Sequence, residues 1–297
     1  MKISVVGAGA LGTFYAAMLK ASSQDVTLVC RERDMAALGD GVSVTGAFDV
    51  CARPQVSTEP IPSDLVIVAV KSRDVPTATE GIQLNSGGIA VIIHNGLGAD
   101  EAAAAILGPS RVATGISYSG VTFLAPGKVR VNGYTETVLG AADAWARARL
   151  DLPLAALEAA GLRSRVADDI RVAQWDKLYV NVAIGGIAAI TGLSNGKILE
   201  VPGLKALAAA AVTEAVAVAA ASGVKPSADP VGQVYRVMRD NPNSRSSMLQ
   251  DIAKGRQTEI NAINGKICEI GRRYGVPTPA NDAITALVKG IEKRNGY

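Results

Sequence analysis

Met1-Lys-Ile-Ser-Val-Val-Gly7-Ala-Gly9-Ala-Leu-Gly12 opens the chain, and its reading decides the fold. The β-branched run Ile3 to Val6 has the pattern of a buried parallel strand. It runs into Gly7-x-Gly9-x-x-Gly12 and then into a helical pattern through Phe14, Tyr15, Met18 and Leu19. Strand, glycine turn and helix in that order are the setting in which the dinucleotide fingerprint has physical meaning. Gly7 permits the tight turn, Gly9 lets backbone approach a pyrophosphate, and Gly12 lets the helix pack on the strand. The helix start then offers unpaired N–H groups to phosphate oxygens. Residues Gly7, Gly9, Ala10, Leu11 and Gly12 are therefore the expected cofactor-binding turn. The competing reading is a glycine turn that binds nothing, and the matching context speaks against it.

Outward from this turn, the first half alternates strands and helices. Val26 to Cys30 reads as a second strand, and Leu65 to Val70 and Ile89 to Ile93 as central strands covered on both faces. Ala99 to Leu107 reads as a helix and Val112 to Ile116 as a further strand. From Ser117 to Gly140 the chain is punctuated by Gly120, Pro126-Gly127, Gly133 and Gly140, which predicts antiparallel strands joined by turns. A helix is expected from about Ala142 to Ala160, capped by Gly161. Beyond Val166 helical patterns dominate: Ile170 to Ile190, Leu204 to Ser222, Pro230 to Arg239, one long helix Ser247 to Tyr274, and Asn281 to Lys293. The expected architecture is an α/β Rossmann-type domain over residues 1–167, followed by an all-α substrate-binding domain over 168–297.

The composition narrows the function classes. The chain has 297 residues, 48% of them hydrophobic and 19% charged, as in a globular protein rather than a disordered one. A net charge of +3 with scattered Lys and Arg gives no ground for a nucleic-acid partner. Cys30, Cys51 and Cys268 have no metal-type spacing, and with one histidine there is no basis for a metal site. They read as free thiols of a reducing compartment. The apolar N-terminus carries the glycine turn and no cleavage site, so a cytoplasmic location is expected. The apolar run Leu207 to Ala221 is Ala-rich, short and interrupted by Thr213 and Glu214, so it reads as a buried helix and not as a membrane span. The helix from Ser247 buries its apolar face either within the chain or across a homodimer.

Several polar residues fall where chemistry is expected. Arg31 follows the second strand, where an NAD site has an acidic residue on the ribose; a guanidinium there suits a 2′-phosphate, so NADP is preferred over NAD. Glu32 beside it is the counter-indication. Lys71 follows the run ending at Val70, and His94-Asn95-Gly96 follows Ile93. Lys71 is read either as a ligand of cofactor phosphate or substrate carboxylate, or as a solvated lysine. Asn95 is read either as a ligand of ribose or substrate, or as part of an ordinary Asn-Gly turn. His94 is assigned no role. Lys177 and Asn181 lie four apart in an apolar helical segment and so share a face; a Lys there with a lowered pKa is suited to protonate a forming alkoxide, and the bland alternative is a snorkelling side chain. Ser246 or Ser247 is either a carboxylate ligand or a plain N-cap. Glu259 is expected on the long helix beside Ile260, Ile263, Ile267 and Ile270, partly inward, with Lys177 or a substrate hydroxyl as partner.

Together these pieces resemble the ketopantoate reductase (2-dehydropantoate 2-reductase) family over essentially the whole chain. The matching motifs are GAGALG at 7–12, Arg31, VKS at 70–72, NGLG at 95–98, WDKLxxN at 175–181, Asn195-Gly196, and SSMLQD…TEINxING at 246–265. The last is the most specific. The resemblance implies NADPH-dependent reduction of a small 2-oxo acid at a cleft between a Rossmann domain and a helical one. It also implies that Lys177 is the proton donor and Glu259 its catalytic partner, which binds the substrate hydroxyl. Asn95, Asn181, Asn195 and Ser247 are implied as substrate-binding groups, and Lys71 and Asn95 as contacts of the cofactor. One departure stands out: where the family commonly has a second Asn, one turn after Asn181, this chain has Gly185. A glycine is expected to remove a hydrogen-bonding arm and enlarge the pocket. That leaves open a related enzyme for a bulkier 2-oxo acid, of the mandelate-dehydrogenase type, and beyond it a non-catalytic NADP-binding regulator.

Overall fold

In a computed structural model, residues 1–226 and 228–297 are described. They form two compact units, Met1–His94 with Gly98–Ile170, and Asn95–Leu97 with Arg171–Tyr297.

The first unit contains, in chain order, β1 (Lys2–Val6), α1 (Ala10–Ala21), β2 (Asp25–Val29), α2 (Glu32–Gly39), β3 (Val42–Gly46), β4 (Val50–Ala52), β5 (Gln55–Ser57), β6 (Ser63–Val68), α3 (Val75–Glu80), β7 (Leu84–Ile93), α4 (Ala99–Leu107), β8 (Val112–Ala125), β9 (Lys128–Gly140), α5 (Ala144–Arg147), α6 (Asp151–Ala159) and β10 (Ser164–Val166). The strands make one mixed sheet in the order β4-β3-β9-β8-β7-β6-β1-β2-β5, with β10 on β9. From β5 to β8 the neighbours are parallel. The chain leaves β1 for β2 on one side and later for β6 on the other. This reversal of strand order is the switch point beyond whose carboxyl ends an open α/β sheet binds ligands.

The continuous apolar runs have a direct cause. Ile3, Val5, Leu65, Ile67, Ile89 and Val91 pack with Phe14 and Tyr15 of α1 on one face. The alternate residues Val6, Val66, Val68, Ala90 and Ile92 pack with Val75, Ala99 and Ala103 on the other. A strand covered on both faces reads as a near-continuous apolar run, and the buried hydroxyl of Ser4 in β1 is paired with Ser63 Oγ at 2.8 Å. At the glycine turn, Gly7 has φ +106°, and a Cβ there would lie 2.7 Å from Val70 Cγ1. A Cβ at Gly12 would run into the Gly7 carbonyl oxygen, so only glycine lets α1 close on β1.

The structure departs from expectation in specific places. The run Leu65 to Val70 leaves the sheet after Val68, and β7 begins at Leu84, well before Ile89. Residues 117–140 are one long β8–β9 hairpin turning at Pro126-Gly127. Gly120 and Gly133 are not turns: they face each other inside the ladder, where the register shifts. Strand-interior glycines mark such irregularities. The helix expected over 142–160 is two helices. Pro153 lacks an N–H and fits only a helix's first turn, so α6 starts anew at Asp151. Asp143 caps α5 through the N–H groups of Trp145 and Ala146, and Gly161 (φ +69°) closes α6 as expected. Strands β3, β4, β5 and β10 and helices α2 and α3 are too short and weakly patterned to read from the sequence.

The second unit is helical: α7 (Ile170–Thr191), α8 (Asn195–Glu200), α9 (Pro202–Ala221), α10 (Pro230–Asp240), α11 (Ser247–Ala253), α12 (Asn264–Tyr274) and α13 (Pro279–Arg294). Its core centres on α7, through Leu178, Tyr179, Val182, Ala183, Ile187 and Ala188. Helix α13 approaches α7 so closely that a Cβ at Gly186 would strike Ile284. Glu214 of α9 accepts from the N–H groups of Ala280 and Asn281, capping α13. Among the described residues α9 alone is long and apolar enough to cross a membrane by length and composition. It buries one face, Ala208, Ala211, Val212, Ala215, Val218 and Ala219, rather than being covered all round.

The largest correction concerns residues 247–274. The single long helix is instead α11 and α12, separated by a ten-residue segment that holds one short turn, Ile260–Ala262. Gly255 enters the left-handed region (φ +55°) just after α11, which ends the helix. The apolar residues still point inward, since Ile260, Ile263 and Ile267 are buried, but not by helical periodicity.

Gly12→Ala is expected to lower unfolding stability by about 1–3 kcal/mol, the usual cost of overpacking a close contact. Urea denaturation followed by circular dichroism measures this; an unchanged midpoint would show that α1 has room to move.

Candidate active site

The first unit carries the glycine turn and the residues that follow its strands. The peptide N–H of Gly7 donates to Val29 O at 2.9 Å, tying the turn to β2. Gly9 is the N-cap of α1, no side chain caps that helix, and Ala10 and Leu11 form its first turn. A Cβ built on Gly9 would meet nothing within 4 Å. An open approach to backbone beside uncapped N–H groups fits a dinucleotide pyrophosphate. Arg31 lies past the end of β2, exposed, with its guanidinium 3.6 Å from Asp74 Oδ2, a carboxylate that Arg73 also approaches at 3.5 Å. Exposed pairs of this kind are weak, so Asp74 orients Arg31 without committing it. Glu32 is the exposed first residue of α2. Lys71 is half-buried three residues beyond β6, at the start of the turn Ser72–Asp74. His94 is buried at the end of β7, its Nε2 3.8 Å from Asp100 Oδ1. Asp100 also accepts from Thr114 Oγ1 at 2.6 Å, so His94 sits in a structural polar cluster.

The second unit gathers the expected catalytic residues. Asn95 to Leu97 dock on the Ile260–Ala262 turn, with Leu97 N donating to Ala262 O at 3.1 Å. Gly96 (φ +88°) must be glycine, because a Cβ would collide with that carbonyl. This docking places Asn95 Nδ2 3.2 Å from Glu259 Oε2, to which it donates. Glu259 in turn acts on Lys177 of α7. Burial of the ammonium pushes the Lys177 pKa down from its ordinary 10.5 to about 8, and the Glu259 charge opposes that fall. Lys177, Glu259 and Asn95 thus form one group drawn from three separate parts of the sequence.

The remaining candidates, Asn181, Asn195 and Ser247, belong to the same unit. Asn181 is half-buried one turn beyond Lys177 on the same face of α7. Asn195 opens α8 and is buried; its N–H donates to Ser244 O at 3.1 Å, and its Oδ1 has no hydrogen-bond partner. A buried unsatisfied acceptor is rare and fits a ligand donor. Ser247 is exposed in the first turn of α11, and the cap is Ser246, whose Oγ accepts from Leu249 N at 3.1 Å.

Two expectations are corrected here. Glu259 is not on a helix; it precedes the Ile260–Ala262 turn, and that irregular backbone is what lets it reach Asn95. Nor does Gly185 leave a larger pocket. It is buried, and a Cβ there would lie 3.3 Å from Met248 Cε, so the thioether of α11 fills the space. No sequence signal marked Met248 for this role, because the two residues are 63 positions apart. Among the described residues there is no group of three or more His, Cys, Asp or Glu able to hold a metal ion.

The chain is similar to known proteins along its whole length. Residues 3–144 match the family profile described as ketopantoate reductase PanE/ApbA, and residues 169–292 match that of its C-terminal region. A 2-dehydropantoate 2-reductase of Archaeoglobus fulgidus is 30% identical over 291 residues, covering 98% of both chains. A PanE/ApbA family ketopantoate reductase structure from Ralstonia eutropha superposes with a TM-score of 0.92 at 31% identity, covering all of both chains. A D-mandelate dehydrogenase structure with NADH and anilino(oxo)acetate gives a TM-score of 0.92 at 22% identity, a likeness of fold alone.

Lysine ε-carbon NMR is expected to show one resonance titrating near pH 8, absent from Lys177→Met and moved to lower pH in Glu259→Gln, where the opposing charge is gone. Titration of every lysine above about pH 10 would remove the desolvated amine from the site.

Proposed function

This chain belongs to the ketopantoate reductase family, and we propose that it reduces 2-dehydropantoate to pantoate with NADPH, Lys177 donating the proton. It is a 2-oxo acid reductase dependent on a nicotinamide cofactor; the substrate, the preference for NADPH and the residue roles are the proposal. The observation that carries it is the Lys177 ammonium, desolvated to a pKa of about 8 and held near Glu259 and Asn95. A proton donor is most effective when its pKa lies near the working pH.

When bound, the reduced nicotinamide supplies a hydride to the keto carbon. The chain does the rest. The uncapped first turn of α1 holds the pyrophosphate, and Arg31 takes the 2′-phosphate in place of Asp74. Lys71 neutralises a further anionic group, and Asn95 aligns the ribose or substrate. Lys177 gives its proton to the oxygen on which negative charge gathers, and its own charge stabilises that oxygen beforehand. Glu259 accepts from the substrate hydroxyl and keeps Lys177 protonated. Asn181, Asn195 and Ser247 orient the substrate, Ser247 toward its carboxylate. Holding both reactants at attack distance supplies much of the acceleration.

A second reading keeps the chemistry and changes the 2-oxo acid. Its support is position 185, where Met248 presents an apolar surface in place of an amide. NADPH oxidation with ketopantoate, beside benzoylformate and 2-oxoisovalerate, separates the two. Turnover with ketopantoate supports the first reading, and turnover only with another acid supports the second. Binding of NADPH with no turnover on any of them would overturn the first reading and leave an acid outside the panel or a regulator.

Three outcomes are expected in that assay. Lys177→Ala lowers kcat by at least about 100-fold, the scale of a lost general acid; a loss confined to KM would count against the role. Reduction needs the protonated amine, so kcat falls as pH rises through about 8, and in Glu259→Gln the fall begins at lower pH. Arg31→Ala weakens NADPH and spares NADH; equal effects on both would refute the 2′-phosphate assignment.

A further inference from the structure

The segment between α11 and α12 carries Glu259 without a regular helix to fix it, yet its position is closely set. The residue before Glu259 is held by a buried carboxylate from the far end of the chain. Glu292 of α13 is 5% exposed, and its Oε1 accepts from both the N–H of Thr258 at 2.6 Å and the Oγ1 of Thr258 at 2.7 Å. The same Thr258 hydroxyl oxygen accepts from the N–H of Ile260 at 3.1 Å. Glu259 is thus bracketed on both sides by one hydroxyl anchored to one carboxylate. The end of the same helix holds the segment's start, where the Tyr297 hydroxyl donates to Gly255 O and the Tyr297 N–H donates to Glu292 O. A buried carboxylate is costly unless hydrogen-bonded, and both bonds here go to the residue beside Glu259.

We propose that Glu292 and Thr258 are positioning residues for Glu259: they lock the irregular segment so that the Glu259 carboxylate faces Asn95 and Lys177. Neither touches substrate or cofactor, and both act through Glu259. The proposal rests on the reading of Glu259 as part of the reductase site. Glu292 lies 33 residues beyond Glu259 in sequence, outside the motif that carries the family resemblance.

The test is a double-mutant cycle on the full chain, with NADPH and the 2-oxo acid that the substrate panel identifies. Thr258→Val keeps shape and removes the hydroxyl. It is expected to lower kcat/KM about tenfold, with NADPH affinity unchanged, and Thr258→Ser is expected to restore activity to within about twofold. In a Glu259→Gln background the same Thr258→Val is expected to cost less than about twofold, because what it positions is already gone. Glu292→Gln, which keeps volume and loses charge, is expected to follow the same non-additive pattern with a smaller loss. Should Thr258→Val unfold the chain, the Glu292→Gln cycle decides. Equal losses in both backgrounds would overturn the proposal and make the contact a plain stability anchor. A Glu259→Gln variant with full turnover would overturn the role of Glu259 in the reaction, and the proposal with it.

Discussion

An ammonium held out of water beside a carboxylate is the constraint on which the second unit turns. Moving a lysine from its ordinary pKa to about 8 corresponds to about 3 kcal/mol of differential interaction. Burial alone would carry it further, and the Glu259 charge limits the fall. Such a balance demands fixed geometry, because a Coulomb term in a dry site changes steeply with distance. The architecture answers that demand. Helix α7 runs through the centre of the helical core, Asn95 donates to Glu259, and α13 holds the segment that carries it.

Glycine supplies the close approaches this geometry needs. At Gly12 a helix closes on a strand, at Gly96 the Asn95 segment reaches the Ala262 carbonyl, and at Gly186 two helices meet. In each case a side chain would occupy the space of backbone or of a core methyl group. Gly9 differs: nothing in the protein fills the space beside it. A glycine whose Cβ would strike backbone is accounted for by packing, whereas exposed Gly9 has open space beside it and no packing reason to be glycine. The same fingerprint holds both kinds, and only coordinates tell them apart.

Met248 fills the space beside Gly185. The Ralstonia eutropha ketopantoate reductase and the D-mandelate dehydrogenase share this architecture at a TM-score of 0.92 each. A shared fold does not by itself fix the substrate. A neighbouring helix contributes a flexible thioether beside Gly185, the side chain best suited to fill an irregular gap.

The residue pattern makes the parallel sheet, the glycine turn on α1 and the helical second half legible. These are local or periodic signals: buried strands read as unbroken apolar runs, and α4 and α7 lie close to their expected bounds. It also marked Lys177, Asn95 and Glu259 as candidates, through motifs and a recognisable resemblance. Tertiary structure alone decided what joins them. The break between α11 and α12 was hidden because Ile260, Ile263 and Ile267 are buried at helix-like spacing although only Ile267 lies in an α-helix. The partners that hold it open, Glu292, Tyr297 and Gly96, lie tens of residues or more from Glu259. Periodicity reports which residues face inward. It carries no information on which distant residue they meet there, and in this chain the charge balance at Lys177 depends on those meetings.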